Sequence, residues 1–331
     1  MAISKKLTIL IILLCLFGVL MVYSSSQIWA EYKMGSEYYF LIRQFIFFVL
    51  GLIVMYFVSN IDYNYYFKYS TYIYFFCLTL LILVLIPGIG IVRGGARSWI
   101  GIGQFSIQPS EFIKIALIII VSKYLSNYKN DIKKIKNVIL LGLFLLLNFG
   151  LIMLQPDFGT AVVILSSISI LIFAGGIKYK YIFIATTGIL VGFSFMIILS
   201  PYRLERILSF LDPWSDPLGS GFQTIQSLYA ISPNGIYGLG LFNSIQKFYY
   251  LPEPQTDFIF AIIVEELGLI GGIFLIALFS LFFYYGITVA LNSKNKFGLY
   301  LSTGIVSLIF VQFFINIGVV IGLLPVTGVT R

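Results

Sequence analysis

Histidine is absent from the 331 residues, cysteine occurs twice, and charged residues make up 10% of the chain. Without histidine there is no imidazole base, no Ser-His triad and no His-ligated zinc, which leaves carboxylate, Lys, Arg and Tyr as chemical groups. Cys15 and Cys77 both lie inside apolar runs, so neither suggests a disulfide, and no cysteine cluster has metal-ligand spacing. No small-residue cleavage pattern follows Lys5-Lys6 and the first apolar run, which is therefore read as an uncleaved span. An interleaved basic and aromatic pattern for nucleic acid is missing. So is an internal repeat of the inverted-transporter type.

What is present is grease. Hydrophobic residues make up 60% of the chain and the mean hydropathy is +1.00. Runs of about 18 apolar residues recur, which excludes a soluble globular domain. Gly, Pro and charge divide them into nine predicted spans, at 7–25, 39–59, 71–87, 109–126, 137–154, 160–177, 181–199, 258–290 and 299–323. The formal charge is +8, from 21 basic and 13 acidic residues. With a cytoplasmic N-terminus, most of the lysines, among them Lys5, Lys6, Lys68, Lys123, Lys178, Lys180, Lys294 and Lys296, fall on the cytoplasmic side, as the positive-inside rule requires. Of the acids only Asp62 and Asp131 share that side. Acids contribute little to topology, so the others, facing outward or in the membrane, need another explanation, and chemistry is one.

Three non-cytoplasmic segments stand out. Gly88 to Glu111 is Gly-rich and holds Arg93, Arg97 and Trp99, without the strand-to-helix context of a dinucleotide loop. Gln155 to Gly159 is a tight turn. Ser200 to Thr256 is a long loop with six prolines, too aromatic for disorder. The stretch from Tyr63 to Phe76 reads as an aromatic interface belt.

Several acids open spans, where helix capping competes with chemistry. Gln108-Pro109-Ser110-Glu111 reads as a helix start, but Lys114 lies one turn deeper on the face of Glu111, where capping gives it no role. Asp157 and Asp257 each precede an apolar helix, and for both an N-cap and a functional carboxylate are open readings. Asp257 has the richer company, with Glu253 before it and Glu265 and Glu266 after it. Gln312 and Asn316, one turn apart in the last span, are expected to join helices.

In order, ARSWIGIGQFSIQPSEFIK (96–114), QPDFGTA (155–161), FLDPWSDPLGSGFQTIQSLYAI (210–231), KFYYLPEPQTDFIFAIIVEELGLIG (247–271) and NIGVVIGLLPVTGVT (316–330) resemble the SEDS family of membrane glycosyltransferases, the FtsW, SpoVE and RodA proteins. Asp-Pro-Trp at 212–214 and Asn-Ser…Gln-Lys-Phe at 243–248 look more like the FtsW/SpoVE branch. The resemblance implies an all-α polytopic membrane protein, a single SEDS-type domain over 1–331 with one large extracytoplasmic loop at 200–256. It implies a polymerase that builds peptidoglycan glycan strands from lipid II at the outer face of the cytoplasmic membrane, in division, sporulation or cell-shape control. The family's catalytic aspartate falls on Asp257, its functional glutamate and lysine on Glu111 and Lys114, its QPD aspartate on Asp157, and its basic, Trp-containing segment on Arg97 and Trp99. Undecaprenyl diphosphate as leaving group calls for positive charge, and Arg93, Arg97, Lys114, Arg203, Arg206 and Lys247 are expected on the correct side. A divalent cation, Mg or Mn, held by outer carboxylates would add to it. Implied partners are lipid II, a class B penicillin-binding protein transpeptidase and other divisome or elongation proteins.

Three departures accompany the resemblance. Gln255 stands where the family usually has His, and Leu239 where a basic residue is common. The chain stops at Arg331, before the family's PFISYGGSS and tenth span, so a C-terminal truncation is expected. The alternatives are a lipid II flippase, which calls for polar residues through the whole bilayer depth, and an inactive truncated scaffold for the transpeptidase.

Overall fold

The computed structural model describes residues 2–93, 95–102, 105–127, 134–181, 183–184, 187–188, 192, 208–232, 235–248 and 251–325. Helices dominate it: α1 (Ala2–Met34), α2 (Tyr39–Ser59), α3 (Asn64–Leu83), α4 (Pro109–Asn127), α5 (Ile135–Met153), α6 (Phe158–Ala174), α7 (Phe222–Ile231), α8 (Ile259–Leu291) and α9 (Lys296–Val320). Six of these, α1, α2, α3, α5, α8 and α9, are long and apolar enough to cross a membrane. Helix α6 is apolar but shorter. Helix α4 has 19 residues and carries Glu111, Lys114 and Lys123. The protein is a multi-pass membrane protein. Helix α2 has no buried residue along its 21; apolar on every face beyond Arg43 and Gln44 near its start, it is suited to lipid.

Most helix ends fall within a few residues of the predicted spans. The first and third differ: predicted at 7–25, the first runs from Ala2 to Met34, and the third, predicted at 71–87, runs from Asn64 to Leu83. Hydropathy misses its first turns because Tyr65, Tyr66 and Lys68 lower it without opposing a helix. The aromatic stretch expected as a belt is therefore mostly the first half of a helix, and its Tyr74 is buried, with Asn148 Nδ2 donating to its hydroxyl at 3.1 Å. The span predicted at 181–199 lies almost wholly outside the described residues. The Gly-rich segment, for which the sequence predicts no strand, folds into a three-stranded antiparallel sheet, β1 (Gly90–Arg93), β2 (Ala96–Ile102) and β3 (Phe105–Ile107), in sequential order.

Two compact units interleave along the chain. The first comprises Met1–Ile61, Phe195–Tyr285 and Phe313–Val326. Its core joins Ala230, Leu251, Phe258, Phe260, Ala261, Ile262, Val264, Val319 and Val320, so α7 and the ends of α8 and α9 pack as one body. Ser227 ties α7 to α9 through a 2.7 Å bond to the Val320 carbonyl. The second unit comprises Asp62–Ser194, Gly286–Gln312 and Thr327–Arg331. In it α3 packs along α4, while α4 and α5 both pack on α6. Strand β2 lies against α4. Gly90 permits the sheet's approach to the end of α3, since a Cβ there would meet the Val84 carbonyl oxygen at 1.9 Å.

Candidate functional site

In the second unit the structure joins two of the sequence motifs. Pro109 opens α4, and Gln108 just before it donates from Nε2 to Asp157 Oδ2 at 2.8 Å. Asp157 also caps α6, its Oδ1 accepting from Thr160 N at 3.1 Å. The capping reading thus holds for Asp157, and its second oxygen brings QPSE and QPD together. Glu111 and Lys114 form the expected pair, Nζ to Oε1 2.8 Å, with Lys114 3% and Glu111 53% exposed. Lys114 thus holds a buried positive charge whose partner reaches solvent.

Sheet and turns supply further polar atoms. The Arg93 guanidinium lies 5.2 Å from the Trp99 ring centroid, a cation–π contact across β1 and β2. Arg97 Nη1 reaches the Leu85 carbonyl at 3.4 Å. Gln155 Nε2 donates to the Leu81 carbonyl at 3.3 Å, so both side chains serve carbonyls at the end of α3. Arg97 Nε, Ser110 Oγ and Gln155 Oε1 are buried without a partner among the described residues. Unsatisfied buried polar atoms are costly, and these three suit water or substrate oxygens and hydroxyls. Arg203 and Arg206 lie outside the described residues.

In the first unit Asp257 precedes α8. It does not cap that helix: among the described residues no donor meets its carboxylate, and Ala261 N, in the first turn, bonds to the Phe258 carbonyl at 2.9 Å. Its side chain has an open solvent face, while the protein packed around the rest desolvates it. That desolvation, and then the charge of Glu253, push its carboxyl above the usual Asp value. Two contacts fix its backbone. Asn316 Nδ2 donates to the Asp257 carbonyl at 3.1 Å, so Asn316 joins helices as expected and does so at this residue. Glu253 holds φ at +46°, in the left-handed region that residues other than Gly seldom adopt, and its carbonyl accepts from Thr256 N and Oγ1. Gln255 Oε1 is buried with no donor among the described residues.

Lys247 differs from expectation. Its side chain is 0% exposed, and its ammonium contacts Glu266 Oε1 at 3.2 Å and the Phe242 carbonyl at 2.6 Å. It is committed inside the protein and is not a cation turned to substrate. Glu265 and Glu266 are buried with it. Glu265 accepts from Ser244 Oγ (2.5 Å), Ile245 N (2.9 Å) and Gln246 N (3.2 Å). Glu266 accepts from Ser24 Oγ of α1 at 2.6 and 2.7 Å. Nothing in the sequence signalled Ser24, which lies 242 residues from its partner. Among the described residues no group of three or more Cys, Asp or Glu could hold a metal ion. With the two adjacent glutamates committed in this way, the donor set does not fit a divalent cation, and no step is routed through one.

A family model described as a cell cycle protein, covering FtsW, RodA and SpoVE, matches residues 5–331. Stage V sporulation protein E of Bacillus subtilis is 48% identical over 326 residues, 98% of this chain and 89% of that protein. A probable peptidoglycan glycosyltransferase FtsW of Coxiella burnetii is 40% identical over 324 residues, 95% of this chain and 85% of that one. Among solved structures, a chain from a peptidoglycan synthase complex that coordinates polymerization and crosslinking matches with TM-score 0.80 at 30% identity, over 98% of this chain and 89% of its own. RodA of Thermus thermophilus shares the fold, with TM-score 0.70 at 24% identity, over 98% of this chain and 87% of its own. With the five motifs in order and the match running almost end to end, the chain belongs to the FtsW, RodA and SpoVE family.

Proposed function

We propose that this protein polymerises peptidoglycan glycan strands from lipid II at the outer face of the cytoplasmic membrane, with Asp257 as general base. Asp257 takes the proton from the 4-hydroxyl of the acceptor sugar. That oxygen bonds to the anomeric carbon of the donor, and the bond from this carbon to undecaprenyl diphosphate breaks, so the leaving group carries away the electron pair. One observation supports the assignment above the rest. Asp257 is an unbonded, solvent-facing carboxylate with a raised pKa, whereas Glu265 and Glu266 are saturated with internal partners. A base must be free to take a proton, and a pKa closer to the working pH favours the transfer.

Arg93, Arg97 and Lys114 are the cations proposed to meet the diphosphate, together with Arg203 and Arg206. Charge fixed where charge develops is the largest general source of rate enhancement. Glu111 and Asp157 are proposed to orient this machinery, Glu111 by holding Lys114 and Asp157 by holding Gln108. Trp99 is proposed to position Arg93. A class B penicillin-binding protein is the proposed partner, and the related chain from a synthase complex supports that reading. The N-terminus is proposed to be cytoplasmic.

The decisive measurement is lipid II polymerisation by purified Asp257→Asn with the cognate transpeptidase present. Removing a general base costs roughly 10²- to 10⁴-fold, and the variant should insert and fold normally. Near-normal glycan synthesis would rule out the assignment.

A further inference from the structure

Lys247, Glu265 and Glu266 are three charges buried together, and the proposed chemistry uses none of them. They lie where α8 breaks. Gly268 has φ +65° and ψ −161°, which interrupts the helix. The carbonyls of Glu265 and Glu266 then accept from Leu239 N (3.0 Å) and Gly240 N (2.9 Å). On the far side of the break Leu269 N and Ile270 N donate to the carbonyls of Gly235 (3.2 Å) and Ile236 (3.3 Å). The segment before Lys247 thus replaces the helix bonds that the break removes. A Cβ on Gly268 would lie 2.3 Å from the Ile236 oxygen, and one on Gly238 would lie 2.4 Å from Gly268 N. Only glycine fits at either place.

The side chains close the same junction. Ser244 donates from Oγ to Glu265, accepts from Lys247 N, and donates from its own amide to Glu266. Lys247 bonds to Glu266. Ser24 holds Glu266 from α1. The chain therefore leaves the junction at Lys247 and returns to it at Glu266. Asp257 lies at the middle of that excursion, ten residues from one end and nine from the other. Buried ion pairs seldom stabilise more than apolar residues of the same volume. Their bonds have fixed directions, and that is what a positioning device requires.

We infer that Lys247, Glu265 and Glu266 are positioning residues, which fix both ends of the 247–266 excursion and so hold Asp257 in its working place. This rests on Asp257 as the base. Lys247→Met alone strands the Glu266 carboxylate and is expected to misfold. The test variant is Lys247→Met/Glu266→Gln, which removes the ion pair, preserves volume and leaves an acceptor for Ser24. Three readouts apply to the purified, monodisperse protein: its Tm, hydrogen exchange in the 251–257 peptide, and kcat and KM for lipid II. Expected are a Tm near that of the parent protein, faster exchange in 251–257, and a kcat lowered roughly 10- to 100-fold, as for a misplaced catalytic group, with KM within about twofold. Unchanged exchange in 251–257 overturns the inference whatever Asp257 does. Faster exchange with unchanged kcat, or a loss confined to KM, overturns it as well. The base assignment fails separately, through an active Asp257→Asn in the parent protein.

Discussion

Asp157 and Asp257 occupy equivalent places in the sequence, one or two residues before an apolar helix, and they differ in what their oxygens touch. Asp157 is spent on Thr160 N and Gln108. Asp157→Ala should therefore act first on stability, at about 0.5–2 kcal/mol for a lost cap, which thermal unfolding would read. Asp257 has no such commitments, and its raised pKa makes a second prediction. Its ionised form is the base, so activity should fall as pH drops through its pKa, with the acid limb above the position of an ordinary Asp. Glu253→Gln removes one of the two causes of the shift and should move that limb to lower pH in a profile of kcat/KM. Stability has the opposite sign. A carboxyl whose folded pKa is raised favours the folded state while protonated, and that contribution is lost as pH rises through the folded pKa. At neutral pH the charge is a cost, so Asp257→Asn should keep or raise Tm while losing activity. The candidacy of both residues was legible in the sequence, and the acids around Asp257 already favoured it there. Which of the two caps its helix was not legible, because capping depends on where the first helical amides turn.

The elements were legible to the extent that hydropathy speaks for them. Span 39–59 coincides with Tyr39–Ser59, since only Arg43 and Gln44, near its start, interrupt the apolar run. The small sheet was obscured by its glycines, which mimic a loop although Gly90 is what allows β1 to lie on the Val84 carbonyl. Helix α7 was hidden in the long loop because ten residues with Gln223, Thr224 and Gln226 make a weak apolar signal. The junction at Gly268 was beyond any local reading, since it needs Ser24 and Ser244 as well as the two glutamates. At this scale Gly268→Ala is expected to be severe, because it combines a left-handed φ with a backbone oxygen at 2.3 Å. Gly272→Ala in the same helix meets only the Val264 and Phe260 side chains, at 3.1 Å and beyond, and should be far milder. Yield of monodisperse protein and its Tm would separate the two.

For the whole molecule the sequence supplied the membrane class and the order of spans, and hydropathy says nothing of the two interleaved units. Sidedness is a testable property of the complete chain. In a Cys15→Ala/Cys77→Ala background, Leu218→Cys, on a residue 90% exposed, should react with an impermeant thiol reagent on intact cells. Lys294→Cys, between α8 and α9, should react only after the cells are opened. The reverse pattern would invert the topology and remove Asp257 from the outer face. The break in α8 also bears on depth. An unbroken helix from Ile259 to Leu291, at 33 residues, would be about 50 Å long, well beyond a hydrocarbon core of about 30 Å. The part after Gly268 is by itself about 35 Å long and can cross the core unaided. The part before it is then free to stand above the lipid tails, and Glu265 and Glu266, whose charge the hydrocarbon would penalise, never have to enter it.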